Sequence, residues 1–369
     1  MTPPPPDRGP LHGVRVIEME GIGPLLHAGM MLADLGADIV RVSRPRRGGR
    51  SDDGVSDADA AMLRGRVEVT VDLADPAGAE RLRDLVSRAD ILVEGFRPGT
   101  MERRGFGPEQ CARVNPRLVY GRMTGWGQSG PLAHTAGHDL NYLAESGALH
   151  PIGPRDTAPT PPLNYVANFG GGSMFLVVGL LAALHDRSRT GLGQVVDAAM
   201  IDGASSLTSL VRSWRHAGRW SDVRGTNLLD GSAPFYRAYT CRDGRFVAVG
   251  ALEDVFYDEF VRGLGLDPAD LPDRWDRARW PRLTERFVEI IARRDRDEWV
   301  EAFRGRDACL SPVLTLDEAT ATEHARHRQA FTTSGPVTMP APAPRLTRSG
   351  AVAAPRTHDD ADAVIGRWA

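Results

Sequence analysis

Apolar and polar positions alternate in blocks along the chain from residue 13 onward. Five short aliphatic-rich runs, at 14–19, 38–42, 67–73, 90–94 and 118–123, predict strands. Between them, 24–35 and 77–86 carry apolar residues at helical spacing, and Pro24 suits the first turn of the earlier helix. Strands and helices in alternation predict a parallel, doubly wound sheet. Residues 170–186 are apolar on most faces, which predicts a buried helix. After a helical or linking stretch at 198–230 the pattern changes. Ala238-Tyr239-Thr240-Cys241 and Phe246-Val247-Ala248-Val249 flank Arg242-Asp243-Gly244-Arg245, a hairpin with Asp-Gly at its turn. Helices follow near 253–264, 281–293 and 296–304. The Pro-, Ala- and Arg-rich stretch 336–356 predicts a strap returning to the first domain. The expected organisation is a disordered tail at 1–10, a large Rossmann-like domain at 11–197 and a linker at 198–236. A small α+β domain at 237–325 and a strap with a C-terminal part of the large domain at 326–369 complete it.

A chain of 369 residues is long enough for two such domains. All 45 basic residues are Arg, which excludes a Schiff-base Lys, a pyridoxal-phosphate Lys and a Walker A Lys. The arginines are spread evenly and the net charge is −3, so no nucleic-acid partner is expected. The longest apolar run, 174–184, is too short to cross a bilayer, and residues 1–10 lack a signal-peptide pattern, so no membrane partner is expected. Cys111, Cys241 and Cys309 are odd in number and far apart, which points to a reducing, cytoplasmic setting and to no metal site.

The first strand leads into Gly21-Ile22-Gly23-Pro24-Leu25-Leu26, which has two glycines of a dinucleotide loop but Leu26 in place of the third. Glu20 beside it would repel a pyrophosphate. After the second strand, where an NAD site needs an acid, stand Arg44 and Arg46. Arginine there suits the 2′-phosphate of NADP or the 3′-phosphate of coenzyme A, and the broken fingerprint weighs against NADP.

Several longer stretches carry a resemblance. They are GIGP with His27, LADLGADIVRV (32–42), GFRPGTMERRG (95–105), RMTGWGQSGP (122–131), AGHDLNY (136–142), FGGGSMF (169–175), GQVVDAAMIDG (193–203) and ARWP (278–281). From about residue 10 to 345 the chain resembles the α-methylacyl-CoA racemases of the family III CoA-transferase superfamily. The resemblance implies an interlocked homodimer of that fold, with the active site between the large domain of one subunit and the small domain of the other. It implies a 2-methylacyl-CoA substrate, or a carrier-protein thioester in its place, with coenzyme A as part of the substrate and no separate cofactor. It implies inversion at the α-carbon. Position by position, His138 matches the family's basic His, with Gly137, Asp139, Asn141 and Tyr142 around it. Glu253 matches a small-domain Glu that pairs with the second base. Arg44, Val71, Asp72, Leu73, Gly95, Phe96, Arg97 and Arg103 match positions lining the coenzyme A groove. Ala74 stands where a basic residue can help hold coenzyme A. Asn168 stands where the family has its catalytic Asp.

The chemistry explains these residue types. A thioester acidifies its α-proton, and inversion needs a proton carrier on each face of the enolate. The enolate oxygen needs donors, expected from backbone N–H groups and a helix N-terminus. Asn168 keeps the size of Asp and, as a turn or N-cap residue, costs little structurally, but its amide carries no proton. Loss of a positioned base costs about 10²–10⁴ in rate unless Glu253 or water replaces it. Three other readings follow from Asn168: a one-base enolising isomerase, lyase or cyclase in specialised metabolism, an acyl-CoA-binding pseudoenzyme, and a CoA-transferase. The last would lack its nucleophilic Asp.

Overall fold

Each aliphatic run forms a strand because both of its faces are covered. The structure is a computed structural model, and it describes residues 9–45, 61–334, 337–350 and 354–369. Most of the expected tail, Arg46, and residues 336 and 351–353 of the expected strap lie outside them. The chain divides into two compact units.

The first unit comprises residues 1–146, 162–208 and 329–369. In chain order it holds β1 (Arg15–Met19), α1 (Pro24–Asp34), β2 (Asp38–Ser43), β3 (Arg66–Thr70), α2 (Pro76–Arg88) and β4 (Ile91–Glu94). Then come α3 (Thr100–Arg103), α4 (Pro108–Val114), β5 (Val119–Thr124), α5 (Asp139–Ser146), α6 (Met174–Thr190), β6 (Val195–Ala199) and α7 (Met200–Leu207). The sheet has seven parallel strands in the order C-terminal strand (Thr357–His358), β3, β2, β1, β4, β5, β6. The order reverses between β1 and β4, which opens a crevice at the C-terminal ends of these strands. One core cluster joins the sheet to α2 and to Ala361, Val364 and Trp368 of the C-terminal helix Ala361–Trp368.

A buried ionic cluster lies beneath β1 and α1. Glu18 and Arg66 are both fully buried and pair at 2.9 Å. Arg66 also donates to the Leu26 carbonyl at 2.6 Å, Arg41 pairs with Glu68 at 3.1 Å, and Arg64 pairs with Asp34 at 2.5 Å. Such a cluster is tolerated in low dielectric because each charge meets a partner.

The expected buried helix differs in two ways. A π-helix, Tyr165–Ser173, precedes α6, so Asn168 sits inside a helical turn and not at a cap. The two together form a 26-residue segment, Tyr165–Thr190, long and apolar enough to cross a membrane. The apolar run at 174–184 thus understates its length. Leu176, Val177, Leu180 and Ala183 of α6 are buried, with Leu176 and Leu180 against β5 at Gly121, as expected of the core helix of an α/β sheet. Met174, Phe175 and Val178 form an exposed apolar face.

The second unit comprises residues 147–161 and 209–328. It contains α8 (Ser209–His216), β7 (Tyr236–Thr240), β8 (Phe246–Gly250), α9 (Asp254–Gly263), α10 (Trp280–Ile291), α11 (Arg296–Ala302) and β9 (Leu310–Pro312). The hairpin forms as read, β7 antiparallel to β8, with Gly244 at φ 77° in its turn. β9 adds on the other side of β8. Residues 198–236, read as one linker, divide between the units, and 147–161 joins the second. The reason is local. α7 packs on the π-helix so closely that a Cβ on Gly203 would lie 1.8 Å from the Gly171 carbonyl. Arg224 donates to the carbonyls of His150, Pro154 and Thr157, which ties 147–161 to the loop after α8.

Candidate active site

The crevice at the strand-order reversal holds a cavity of about 520 Å³. Its walls come from the segments that leave consecutive strands. Glu20–Leu25 follows β1, Arg44 follows β2, Gly95–Pro98 follows β4, Met123–Trp126 spans the end of β5, and Met200 follows β6. Ala133, Thr135–His138, Tyr142 and Asn168 close it.

His138 occupies the N-terminal boundary of α5, with its side chain exposed. Its main-chain N–H donates to Asn141 Oδ1 at 3.0 Å, and its carbonyl accepts from Asn141 N at 2.8 Å. Asn141 therefore acts as half of a capping box that holds His138. Tyr142, one turn along, is buried and donates its hydroxyl to the Gly137 carbonyl at 2.5 Å. Its ring fits because residue 125 is glycine: a Cβ there would lie 2.1 Å from Tyr142 Cζ. Trp126 packs edge-on against the ring at 4.8 Å.

Asp139 joins the two candidate proton-handling positions. It follows His138 directly, and its Oδ1 accepts the main-chain N–H of Asn168 at 2.6 Å. Its Oδ2 is buried without a hydrogen-bond partner among the described residues. Burial raises the Asp139 pKa, opposed by the N–H groups of Asn168 and Ala167. The Asn168 side chain is left to the cavity it lines. Behind it, Phe169 stacks on His27 at 4.6 Å, and His27 Nδ1 meets Ser173 Oγ at 2.6 Å. The Ser173 hydroxyl donates to the Phe169 carbonyl at 3.0 Å, so His27 Nδ1 carries the proton of their shared bond. Burial, with Arg64 as the next cause, lowers the His27 pKa.

The expected coenzyme A residues lie along the same C-terminal edge of the sheet, in two groups. Arg44, Gly95, Phe96 and Arg97 line the cavity. Arg97 is exposed and has no hydrogen bond or ion pair from its side chain among the described residues. Arg44 is half exposed and pairs with Glu20 at 2.9 Å, so the acid expected to repel phosphate instead holds the arginine expected to attract it. Val71, Asp72, Leu73, Ala74 and Arg103 lie outside the cavity lining. The Val71 side chain belongs to the core at 3% exposure, which leaves only its backbone for a ligand. Leu73 packs on the same core, Asp72 accepts the Ala74 N–H at 2.9 Å, and Arg103 is exposed beside Thr100.

Glu94 was not anticipated. It ends β4 with 1% exposure, accepts the Phe96 N–H at 2.7 Å and pairs with Arg122 at 2.9 Å. It shapes the Gly95–Arg97 wall from behind, and burial raises its pKa against those two donors. The only sequence signal was an acid at the end of a buried strand.

Glu253 belongs to the second unit. It is the residue before α9, exposed, and its side chain makes no capping hydrogen bond.

Comparison with known proteins fits this geometry. Residues 11–359 match CoA-transferase family III. The chain belongs to that family. Among family members, the α-methylacyl-CoA racemases of Mus musculus and Homo sapiens are each 43% identical to it, over 93% of this chain and 88% of theirs. A succinyl-CoA:glutarate CoA-transferase of Mus musculus is 28% identical over 92% of this chain and 81% of its own. The fold of a CAIB/BAIF family protein from Brucella suis superimposes with a TM-score of 0.83, at 23% identity, over 98% of this chain and 100% of the other. The family III CoA-transferase fold, with its central parallel sheet, is thus the fold of this chain.

Proposed function

We propose that this family III protein is a racemase or epimerase acting at the α-carbon of 2-methylacyl-CoA thioesters. One observation carries the reading: His138 and Asn168 line one cavity at the strand-order reversal and are tied together through Asp139. The 43% identity to two α-methylacyl-CoA racemases supports the reaction class over transfer. His138 removes the α-proton, since an imidazole both takes and gives a proton near neutral pH. The Asn168 amide donates to the thioester oxygen as negative charge develops there. Glu253 serves as the second proton carrier. Arg44 and Arg97 at the cavity receive the phosphates of coenzyme A, which favours coenzyme A over a carrier protein. The reaction needs no cofactor beyond that group. The exposed apolar face of Met174, Phe175 and Val178, at 42%, 39% and 64% exposure, supports a homodimer. Three unpaired cysteines support a cytoplasmic setting.

The test is one enantiomer of a 2-methylacyl-CoA incubated in D₂O, with label and configuration followed together. Deuterium uptake with inversion is expected, and both should vanish in His138→Ala. Uptake that persists unchanged in that variant refutes His138 as the base. Uptake with complete retention of configuration refutes racemisation.

A further inference from the structure

Arg274 is a buried cation at 7% side-chain exposure, and the proposed chemistry does not use it. Its guanidinium donates to three consecutive carbonyls, those of Ala251 at 3.3 Å, Leu252 at 2.8 Å and Glu253 at 3.4 Å. It also pairs with Asp254 at 2.5 Å. Three rings enclose it, with Phe235 at 5.3 Å, Tyr257 at 5.0 Å and Trp275 at 4.5 Å from its central carbon. The Trp280 indole donates to its own carbonyl at 2.7 Å. Every acceptor it reaches with its guanidinium thus lies within the four-residue turn that carries Glu253.

This arrangement suits a task more specific than filling space. Three successive carbonyls turned towards one guanidinium fix the backbone of the turn from β8 into α9. The planar fork of donors does this, and an ammonium on a flexible stem does not reproduce it. The aromatic cage keeps water from competing for the cation. Glu253 meanwhile has extended backbone, φ −81° and ψ 152°, and a side chain without a capping bond. The turn is held rigidly while the carboxylate is left unengaged at the helix end.

We propose that Arg274 is the positioning residue for Glu253, and that it governs proton delivery to the second face of the enolate, not enolate formation at His138. The proposal rests on the racemase reading with Glu253 as the second carrier. The experiment measures inversion and α-deuterium exchange separately, for the enantiomer whose proton faces His138. Arg274→Lys, Glu253→Gln and the double variant are compared. Arg274→Lys should lower inversion on the order of 10²-fold, the scale of a misplaced catalytic group, while exchange with retention persists. The double variant should be no worse than Glu253→Gln alone. Asp254→Asn removes only the exposed partner of Arg274, so it should shift the same ratio less, and it carries the test if Arg274→Lys does not fold. Equal loss of exchange and inversion in the folded variants, or effects that multiply with those of Glu253→Gln, overturns the positioning role. Unchanged inversion in Glu253→Gln overturns Glu253 as carrier and this proposal with it, but leaves His138 as the base intact.

Discussion

Replacing Gly29 with Ala drives a methyl group into the buried ion pair behind the active-site wall. An ideal Cβ at this position lies 1.8 Å from Glu18 Oε2 and 2.3 Å from Arg66 Nη2. Neither side chain has room to retreat, because both are fully buried and Arg66 is also held by the Leu26 carbonyl at 2.6 Å. Two responses are open. Separating the pair leaves an uncompensated buried charge, at about 3–5 kcal/mol. Lifting α1 off the sheet costs about 1–3 kcal/mol for ordinary overpacking. An overlap this deep sits at the top of that second range, since Leu25, Leu26 and Leu32 of α1 are packed at 2% exposure or less. Helix propensity returns about 1 kcal/mol on replacing Gly with Ala. The net destabilisation is about 2–4 kcal/mol, or a fall in Tm of about 4–8 °C for a unit of this size. Calorimetry or circular dichroism reads this directly. Gly366→Ala is the control, because its Cβ meets nothing within 4 Å and the change should be neutral or stabilising. Because α1 starts with cavity residues Pro24 and Leu25, KM should rise as well. A Gly29→Ala protein melting within about 2 °C of the parent would show that the pair or the helix yields freely, contrary to this reasoning.

Further predictions concern the site. Asn168→Asp adds a proton carrier beside Glu253 and removes the amide donor to the thioester oxygen, so with the fold unchanged, because Asp139 grips only the main chain of residue 168, the racemisation rate should rise by less than the ~10²–10⁴ of a lone positioned base; an unchanged or lower interconversion rate for the two enantiomers would show that a carboxylate at 168 does not enter the proton transfer. Glu20→Gln frees Arg44 from an exposed ion pair, which is worth about 0.2–1 kcal/mol, and should tighten coenzyme A binding by a few-fold in titration calorimetry; weaker binding would mean that Glu20 orients Arg44 for its ligand. The His27 pKa is lowered from 6.5 in the folded state, so below that value the unfolded chain binds a proton that the folded chain does not. Stability should therefore fall as pH drops through about 6.5, and His27→Asn, which keeps a donor for Ser173, should flatten the dependence of the denaturation midpoint on pH.

The large unit was legible because a parallel sheet covered on both faces needs near-continuous aliphatic strands, and those at 14–19, 38–42 and 90–94 announce themselves. β6 was not, because Val195 and Asp197 leave the edge strand half exposed and its pattern weak. The start of the π-helix was hidden for another reason: the apolar pattern opens only at 170, within three glycines that are where the π-helix approaches α7 and its neighbours most closely. Among site residues, His138, Asn168, Arg44 and Arg97 reach the cavity: Arg44 and Arg97 follow strands at the order reversal, His138 starts α5, and Asn168 lies within the π-helix. Val71 shows that a position carried over along the chain does not by itself say which of its atoms face a groove. Being beside a groove says nothing about which way a side chain turns, and this one turns into the core. Glu94 acts through the N–H of Phe96 two residues on and through Arg122, and Arg274 through carbonyls more than 20 residues away, and no spacing rule reports such bonds.

The strand at 357–358 and the helix behind it set an order of events for biosynthesis. Trp368 is buried at 1% exposure and donates to Asp38 across 330 residues of chain. While that helix is still unmade, the nascent chain already carries β1 to β5 with an apolar face open to solvent, and the whole second unit is translated in the interval. The first unit is therefore the last to close, and its ribosome-bound intermediates are the natural clients for a chaperone that shields bare aliphatic surface.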